Sequence, residues 1–179
     1  QMPVFLYSLL WKKKTIIHIH VGNQLLEYTN DNMFKYVLKK ATKVVVLANV
    51  LKDLMKEHYN IDADVLYNPI EEQEKRDAGK IEKSIFFAAY LTINKGYDTL
   101  LKAFKKVAEK HPDWKLILAG SGETENARKL INELGIEKNV EQHLWLNKEQ
   151  MADFYKKVSI YCIASKQEGF PMSFLEAGS

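Results

Sequence analysis

The sequence is poor in cysteine and in net charge, and each shortage excludes a class of protein. The single cysteine, Cys162, cannot form a disulfide within the chain. Its apolar neighbours favour a buried structural thiol, as expected in a reducing compartment such as the cytoplasm. The 26 Lys and Arg residues nearly balance the 23 Asp and Glu residues, which argues against a nucleic-acid-binding protein. With 46% hydrophobic residues among 179, the chain can bury a core of one or two domains.

Long apolar runs are also lacking. The run at residues 2–11 is interrupted by Pro3 and Ser8, and it is much shorter than the roughly 20 residues that a transmembrane helix needs. Lys12 to Lys14 follow it, whereas a signal peptide carries its positive charge before the apolar region. We therefore expect the tail of a helix from a larger structure. A peripheral contact with a membrane surface is the weaker alternative.

Short apolar segments alternate with amphipathic segments, which predicts parallel β-sheets covered by helices. In the first part of the chain we expect strands at 15–21, 43–47 and 64–67 and helices at 32–41 and 51–58. The charged segment 71–83 contains Gly79 and has the character of a surface connection. We therefore predict a domain at 1–70, a linker at 71–83 and a second domain at 84–179.

The second part repeats this alternation. Strands are expected at 85–89, 114–119, 140–144 and 158–164, and helices at 97–110, 125–134, 148–157 and from about 171. Asn147 followed by Gln150 predicts a capping box, and Gly135 predicts a helix end. The alternation predicts an α/β fold with a doubly wound sheet, whose ligands bind beyond the carboxyl ends of the strands.

Three of the loops that follow these strands contain candidate ligand-binding residues. Lys95, next to Gly96, can meet a phosphate as a point charge, although a single loop lysine is most often only solvated. Gly120 and Gly122 either let a ligand approach or only form a tight connection. Trp145 can stack on a base, although packing beneath the next helix is the commoner fate of such a residue.

The fourth loop runs from Glu168 to Glu176 and carries two carboxylates across a turn. Gly169 lets the backbone turn closely, and Pro171 suits the first position of a helix. The backbone N–H groups after Pro171 would face an anion or a row of hydroxyls. The two carboxylates can grip the hydroxyls of two sugar rings. Taken singly, each is an ordinary acid of the kind that the helix dipole favours.

Together these segments resemble glycosyltransferase family 4, also called the group 1 glycosyl transferases, whose members have the GT-B fold. The matching runs are Lys95-Gly96-Tyr97-Asp98, Leu116 to Glu123, and Glu168-Gly169-Phe170-Pro171 with Glu176-Ala177. The similarity is clear from Ile85 to Ser179 and fainter from Thr15 to Pro69. It implies two Rossmann-like sheets, both incomplete here. The chain would then be the central half of an enzyme and inactive by itself.

The resemblance implies a retaining hexosyltransferase that moves a sugar from a UDP- or GDP-sugar to a sugar or lipid-linked acceptor. The enzyme would act in the synthesis of cell-surface polysaccharides or glycoconjugates. It would need no cofactor and no metal ion. Glu168 and His20 would lie at the transferred sugar as catalytic residues, Lys95 at the diphosphate and Glu176 at the ribose. The other donor-binding residues that it implies are Gly96, Gly120, Gly122, Trp145, Gly169, Phe170, Pro171, Met172 and Ser173.

The chain departs from the family pattern at two places. Ala89-Tyr90 stands where members usually carry Gly-Arg, and Leu144 stands where they carry a glycine. One phosphate-binding cation is therefore missing. Lys166 or a group outside this chain would have to replace it.

Other functions stay open at this point. A different GT-B enzyme, such as an epimerase or a phosphorylase, would share the fold, and a fold alone does not fix the reaction. A non-catalytic module that binds a nucleotide-sugar or a partner is favoured somewhat by the missing arginine. His18 lies two residues before His20 on one strand, but no third motif of metal ligands accompanies this pair.

Overall fold

The computed structural model describes residues 11–70, 81–168 and 171–178. These residues form two compact units, the first made of the described residues up to Pro69 together with Glu168, and the second of the remaining described residues. Each unit contains a parallel sheet with helices packed on it. Within the described ranges, no helix combines the length and apolar character needed to cross a membrane. Residues 2–10 of the N-terminal apolar run and residues 71–80 of the predicted linker lie outside the described ranges.

The first unit has three described strands in the order β1-β2-β3, all parallel. They are β1 (Ile16–Ile19), β2 (Lys43–Val46) and β3 (Asp64–Val65), with a 3-10 helix at Asn23–Tyr28 and the helices α1 (Asn32–Lys40) and α2 (Asn49–Tyr59). The Asp31 side chain caps α1 by accepting the N–H groups of Met33 and Phe34. Buried Val46, Leu51 and Met55 belong to the core between β2 and α2. The predicted alternation is confirmed here.

The second unit has four described strands in the order β6-β5-β4-β7, again all parallel. They are β4 (Glu82–Ala88), β5 (Lys115–Ala119), β6 (Val140–His143) and β7 (Val158–Tyr161). The helices are α3 (Tyr97–Lys110), α4 (Thr124–Leu134), α5 (Lys148–Lys157) and α6 (Met172–Gly178), with a 3-10 turn at Glu137–Asn139. Because all strands run the same way, their carboxyl ends share one edge.

Helices cover both faces of this second sheet. Phe86 and Phe87, consecutive on β4, point to opposite faces and are both fully buried. Phe87 packs in a core with Leu101 and Phe104 of α3, and α4 contributes to the same core. Phe86 packs on the other side with Tyr155 of α5, while Ala177 of α6 lies against that cluster. Burial on both faces explains why residues 85–88 of β4 and 116–119 of β5, in the middle of the sheet, are continuously apolar.

Two predicted boundaries in the second unit are wrong. β4 begins at Glu82, so Glu82 and Lys83, which we expected in the linker, belong to a strand. Both residues are polar, so the apolar pattern of a strand does not extend to them. In the structure Lys83 forms an ion pair with Asp113, and the Glu82 carbonyl accepts a hydrogen bond from the Ser159 hydroxyl. β7 ends at Tyr161, earlier than the predicted end at residue 164. Long-range pairing decides both boundaries.

Two predicted helix boundaries of this unit, the end of α4 and the start of α5, are confirmed. Gly135 ends α4 in the left-handed conformation, and Asn147 and Gln150 form both hydrogen bonds of a capping box at α5. We expect Asn147→Ala to destabilise the protein by about 1 kcal/mol, because the Gln150 N–H loses its acceptor, the Oδ1 atom of Asn147. Urea unfolding measures this loss. Asn132→Ala, at an exposed position inside α4, is the control; an equal loss there would contradict the cap assignment.

Candidate active site at the carboxyl edge of the second sheet

The loops after β4 and β5 contact each other through their backbones. Gly120 has φ of 144°, and a Cβ atom there would overlap the carbonyl oxygen of Ala89. Just beyond, the Leu91 N–H donates to the Ser121 carbonyl at 2.7 Å, and the Glu123 N–H donates to the Leu91 carbonyl at 3.0 Å. Glycine at position 120 is therefore required for a tight connection between two loops, which is one of the two expected alternatives. Its role toward a ligand stays a prediction.

The loop after β7 is joined to the loop after β4 in the same way. Gly96, at the start of α3, has φ of 76°, and a Cβ atom there would overlap the carbonyl oxygen of Ala164. The Lys166 N–H donates to the Asn94 carbonyl at 2.8 Å. The expected convergence of these loops is thus present. Half-buried Lys95 lies at this junction, next to Gly96.

A pocket of about 270 Å³ opens at the carboxyl ends of β4, β5 and β6. Tyr90 and Trp145 line it while remaining 64% and 74% exposed. The other lining residues are mostly small or aliphatic: Ala88, Ala89, Ala119, Gly120, Ser121, Leu144, Leu146 and Met151. Trp145 is not packed beneath α5, and its stacking on a base stays a prediction. Two exposed aromatic rings beside an apolar floor suit a flat ring as ligand.

The buried phenol of Tyr97 forms a hydrogen bond to Glu123, at the end of the loop that contains Gly120 and Gly122. Tyr97 is 2% exposed, and its hydroxyl donates to the Glu123 carboxylate at 3.0 Å. Burial, followed by the hydrogen bond to Glu123, raises the pKa of Tyr97 to about 12, so the phenol stays a donor. Sequence reasoning missed this contact. Tyr97 lies on the apolar stripe of α3 and therefore has the pattern of an ordinary core residue.

The segment before α6 is placed only in part. Glu168 is exposed in the loop after β7, and Gly169 and Phe170 lie outside the described residues. α6 begins at Met172 rather than at Pro171, whose carbonyl accepts the Phe174 N–H at 3.2 Å. Half-buried Ser173 stands in the first turn of this helix.

Glu176, one turn further along α6, faces the aromatic residues of the second unit. The Tyr155 hydroxyl donates to its Oε2 atom at 3.4 Å. Glu176 is half-buried, whereas an ordinary helix-start acid is surrounded by water. The role of Glu176 toward a ribose stays a prediction.

His18 and His20 belong to the first unit. Their ring centroids are 4.1 Å apart, and His20 is exposed. The Nε2 atom of His18 is buried without a hydrogen-bond partner. Across the part of the chain that the structure describes, no three His, Cys, Asp or Glu side chains are grouped to hold a metal.

Comparisons with known proteins agree with this fold. Residues 70–179 match the family model described as glycosyl transferases group 1. An uncharacterized glycosyltransferase from Haemophilus influenzae is 30% identical over 182 residues, which cover 94% of this chain and 51% of the relative. The chain thus spans about half the length of the curated relatives that it matches along most of its sequence.

Solved structures share the architecture at low sequence identity. Anabaena HepE, crystallised with UDP and glucose, aligns over 97% of this chain and 52% of its own, with a TM-score of 0.80 and 15% identity. The pneumococcal O-GlcNAc transferase GtfA, crystallised with UDP and GlcNAc, aligns over 97% and 37%, with a TM-score of 0.75 and 20% identity. Likeness at these identities concerns the fold alone, and it confirms the expected GT-B type.

We expect Gly120→Ala to destabilise the second unit by about 1–3 kcal/mol from backbone strain, with a further cost from the overlap with Ala89. Chemical denaturation of the purified protein measures this loss. Gly178→Ala is the matched control, because a Cβ atom there meets nothing within 4 Å. Wild-type stability of Gly120→Ala would refute the role assigned to this glycine.

Proposed function

The chain belongs to the glycosyl transferases group 1 family, and from this premise we propose that the complete protein is a retaining hexosyltransferase. Its donor is a UDP- or GDP-sugar, and its acceptor is a sugar or a lipid-linked sugar in cell-surface glycan synthesis. The pocket between Tyr90 and Trp145 is the observation that carries this proposal. The UDP and sugar found in the HepE and GtfA crystals support the choice of donor.

The nucleotide base occupies the pocket. Its flat ring stacks on Trp145, which is otherwise 74% exposed to water, and Tyr90 lies at the same opening. Stacking of a base on an aromatic side chain contributes about 1–3 kcal/mol. The aliphatic lining from Leu144 and Leu146 removes further apolar surface from water.

The diphosphate lies at the loop junction beside the pocket. Negative charge develops on it as the sugar departs, and a fixed cation stabilises that charge. Lys95 supplies this cation. Because Tyr90 replaces the arginine usual in the family, Lys95 carries a larger share, and Lys166 on the adjoining loop is the second cation.

The remaining predicted residues contact the transferred sugar and the ribose of the donor. Glu168 and His20 orient the transferred sugar, and Glu176 accepts hydrogen bonds from the ribose hydroxyls. Retaining transfer in this family is thought to proceed on one face of the sugar, so we assign no protein general base. Release of UDP or GDP from the donor by the complete protein, in the presence of candidate acceptors, tests the activity itself.

We expect Lys95→Ala to weaken UDP binding by about tenfold or more, because a charged hydrogen bond contributes about 1.5–3 kcal/mol. Uridine, which lacks phosphate, should bind as before. Calorimetry with both ligands measures the difference. Lys106→Ala, which removes an exposed charge from α3, the helix that follows Lys95, is the control. Equal losses for UDP and uridine would rule out the diphosphate role.

Trp145→Ala should weaken UDP and uridine binding by the same factor, roughly fivefold to a hundredfold, because both ligands lose the stacking contact. Trp11→Ala removes an indole of the first unit that is 63% exposed, and it should change neither affinity. Thermal-shift measurements with UDP, GDP and their sugars show which base is preferred. If none of them raises the melting temperature of the complete protein, the proposed function is wrong.

A further inference from the structure

Four aromatic rings pack around the carboxyl half of β4, directly beneath α6. Phe86 lies at their centre and is fully buried. Its ring centroid is 5.0 Å from that of Phe154, 5.7 Å from that of Tyr155 and 5.8 Å from that of Tyr161. Ala177 of α6 packs against the same cluster. The face of α6 that carries Ala177 is therefore seated on this aromatic cluster.

Two of the four rings carry hydroxyls, and both hydroxyls are paired. Tyr155 is 5% exposed and donates to Oε2 of Glu176 at 3.4 Å. Tyr161 donates to the Ala88 carbonyl at 3.3 Å, and its hydroxyl also lies within hydrogen-bonding reach of Ser173 and Tyr155. Burial raises the pKa of both phenols, so they remain donors throughout the neutral pH range.

Packing alone does not require these hydroxyls. Phe86 and Phe154 fill the cluster as plain rings, and a phenylalanine at position 155 would occupy the same ring position. A buried hydroxyl costs free energy unless it is paired. The partner of the Tyr155 hydroxyl is the carboxylate of Glu176 on α6, which the proposed function assigns to the ribose, so the pairing has a chemical consequence for that role.

We propose that Tyr155, with Tyr161 beside it, is a positioning residue that holds the carboxylate of Glu176 ready for the two ribose hydroxyls of the donor. A glutamate side chain has several rotatable bonds, and fixing it before the ligand binds removes that entropic cost from the binding step. A carboxylate has about four acceptor sites, so one bond to a phenol is compatible with bonds to two vicinal hydroxyls. This inference rests on the proposed function.

Tyr155→Phe in the complete protein tests the inference by calorimetry. We expect UDP to bind roughly two- to tenfold more weakly, the effect of one hydrogen bond. The loss should disappear with 2′,3′-dideoxyuridine diphosphate, which has no ribose hydroxyls to grip. It should also disappear in a Glu176→Ala background, because the phenol then has no carboxylate to hold.

The matched control is Tyr59→Phe in the first unit. Tyr59 is also a buried phenol, 4% exposed, and its hydroxyl donates to the Leu25 carbonyl. This variant should lose stability without any change in UDP affinity. A purely structural role of Tyr155 would make its variant behave like this control, which would overturn the inference.

The failure of the inference and the failure of the proposed function give different results. If Glu176→Ala binds UDP as tightly as wild type, the ribose role in the proposed function is wrong. If Glu176→Ala weakens UDP but Tyr155→Phe does not, or if Tyr155→Phe weakens the dideoxy analogue equally, only the positioning inference is wrong. Should Tyr155→Phe not fold, Tyr161→Phe replaces it. That variant should show a smaller loss with the same dependence on ribose hydroxyls, and a loss without this dependence overturns the inference.

Discussion

Backbone contact between neighbouring loops is the constraint on which the second unit depends. At Gly96 and at Gly120 the backbones of two loops approach so closely that no Cβ atom fits between them. These contacts hold the loops after β4, β5 and β7 in one layer, and that layer carries Lys95 and borders the aromatic pocket. The site is therefore made from connections that the sheet itself holds in place, which reduces the ordering that a ligand must impose.

Packing and hydrogen bonding use the same residues on the other face of the sheet. The cluster around Phe86 stabilises the unit as a hydrophobic core, and its two phenols connect that core to α6. A substitution at Tyr155, inside the core, thus removes a hydrogen bond from Glu176, the predicted ribose-binding carboxylate. Tyr97 has a similar double role on the opposite face, where it packs in the core and pairs with Glu123.

Local signals predicted the helices of the second unit well and its site contacts poorly. α3 and α5 have the predicted bounds because apolar periodicity marks the length of each helix, and the capping box of Asn147 and Gln150 also marks the start of α5. Convergence of the loops followed from parallel strands alone. The strand residues Glu82 and Lys83 were missed because their pairing partners are distant in sequence. The exposure of Trp145 and the bond from Tyr155 to Glu176 depend on tertiary packing that no local pattern encodes.

The strand order has a consequence for how this unit is made. β4 lies inside the sheet, yet one of its neighbours, β7, is the last strand of the described chain, with Phe86 paired to Tyr161. During synthesis β4 can pair with β5 early, while its other side stays an open apolar edge until β7 emerges. Open edges of this kind recruit strands from other chains. Polar Glu82 and Lys83 at the start of β4 are residues that oppose such pairing during this interval.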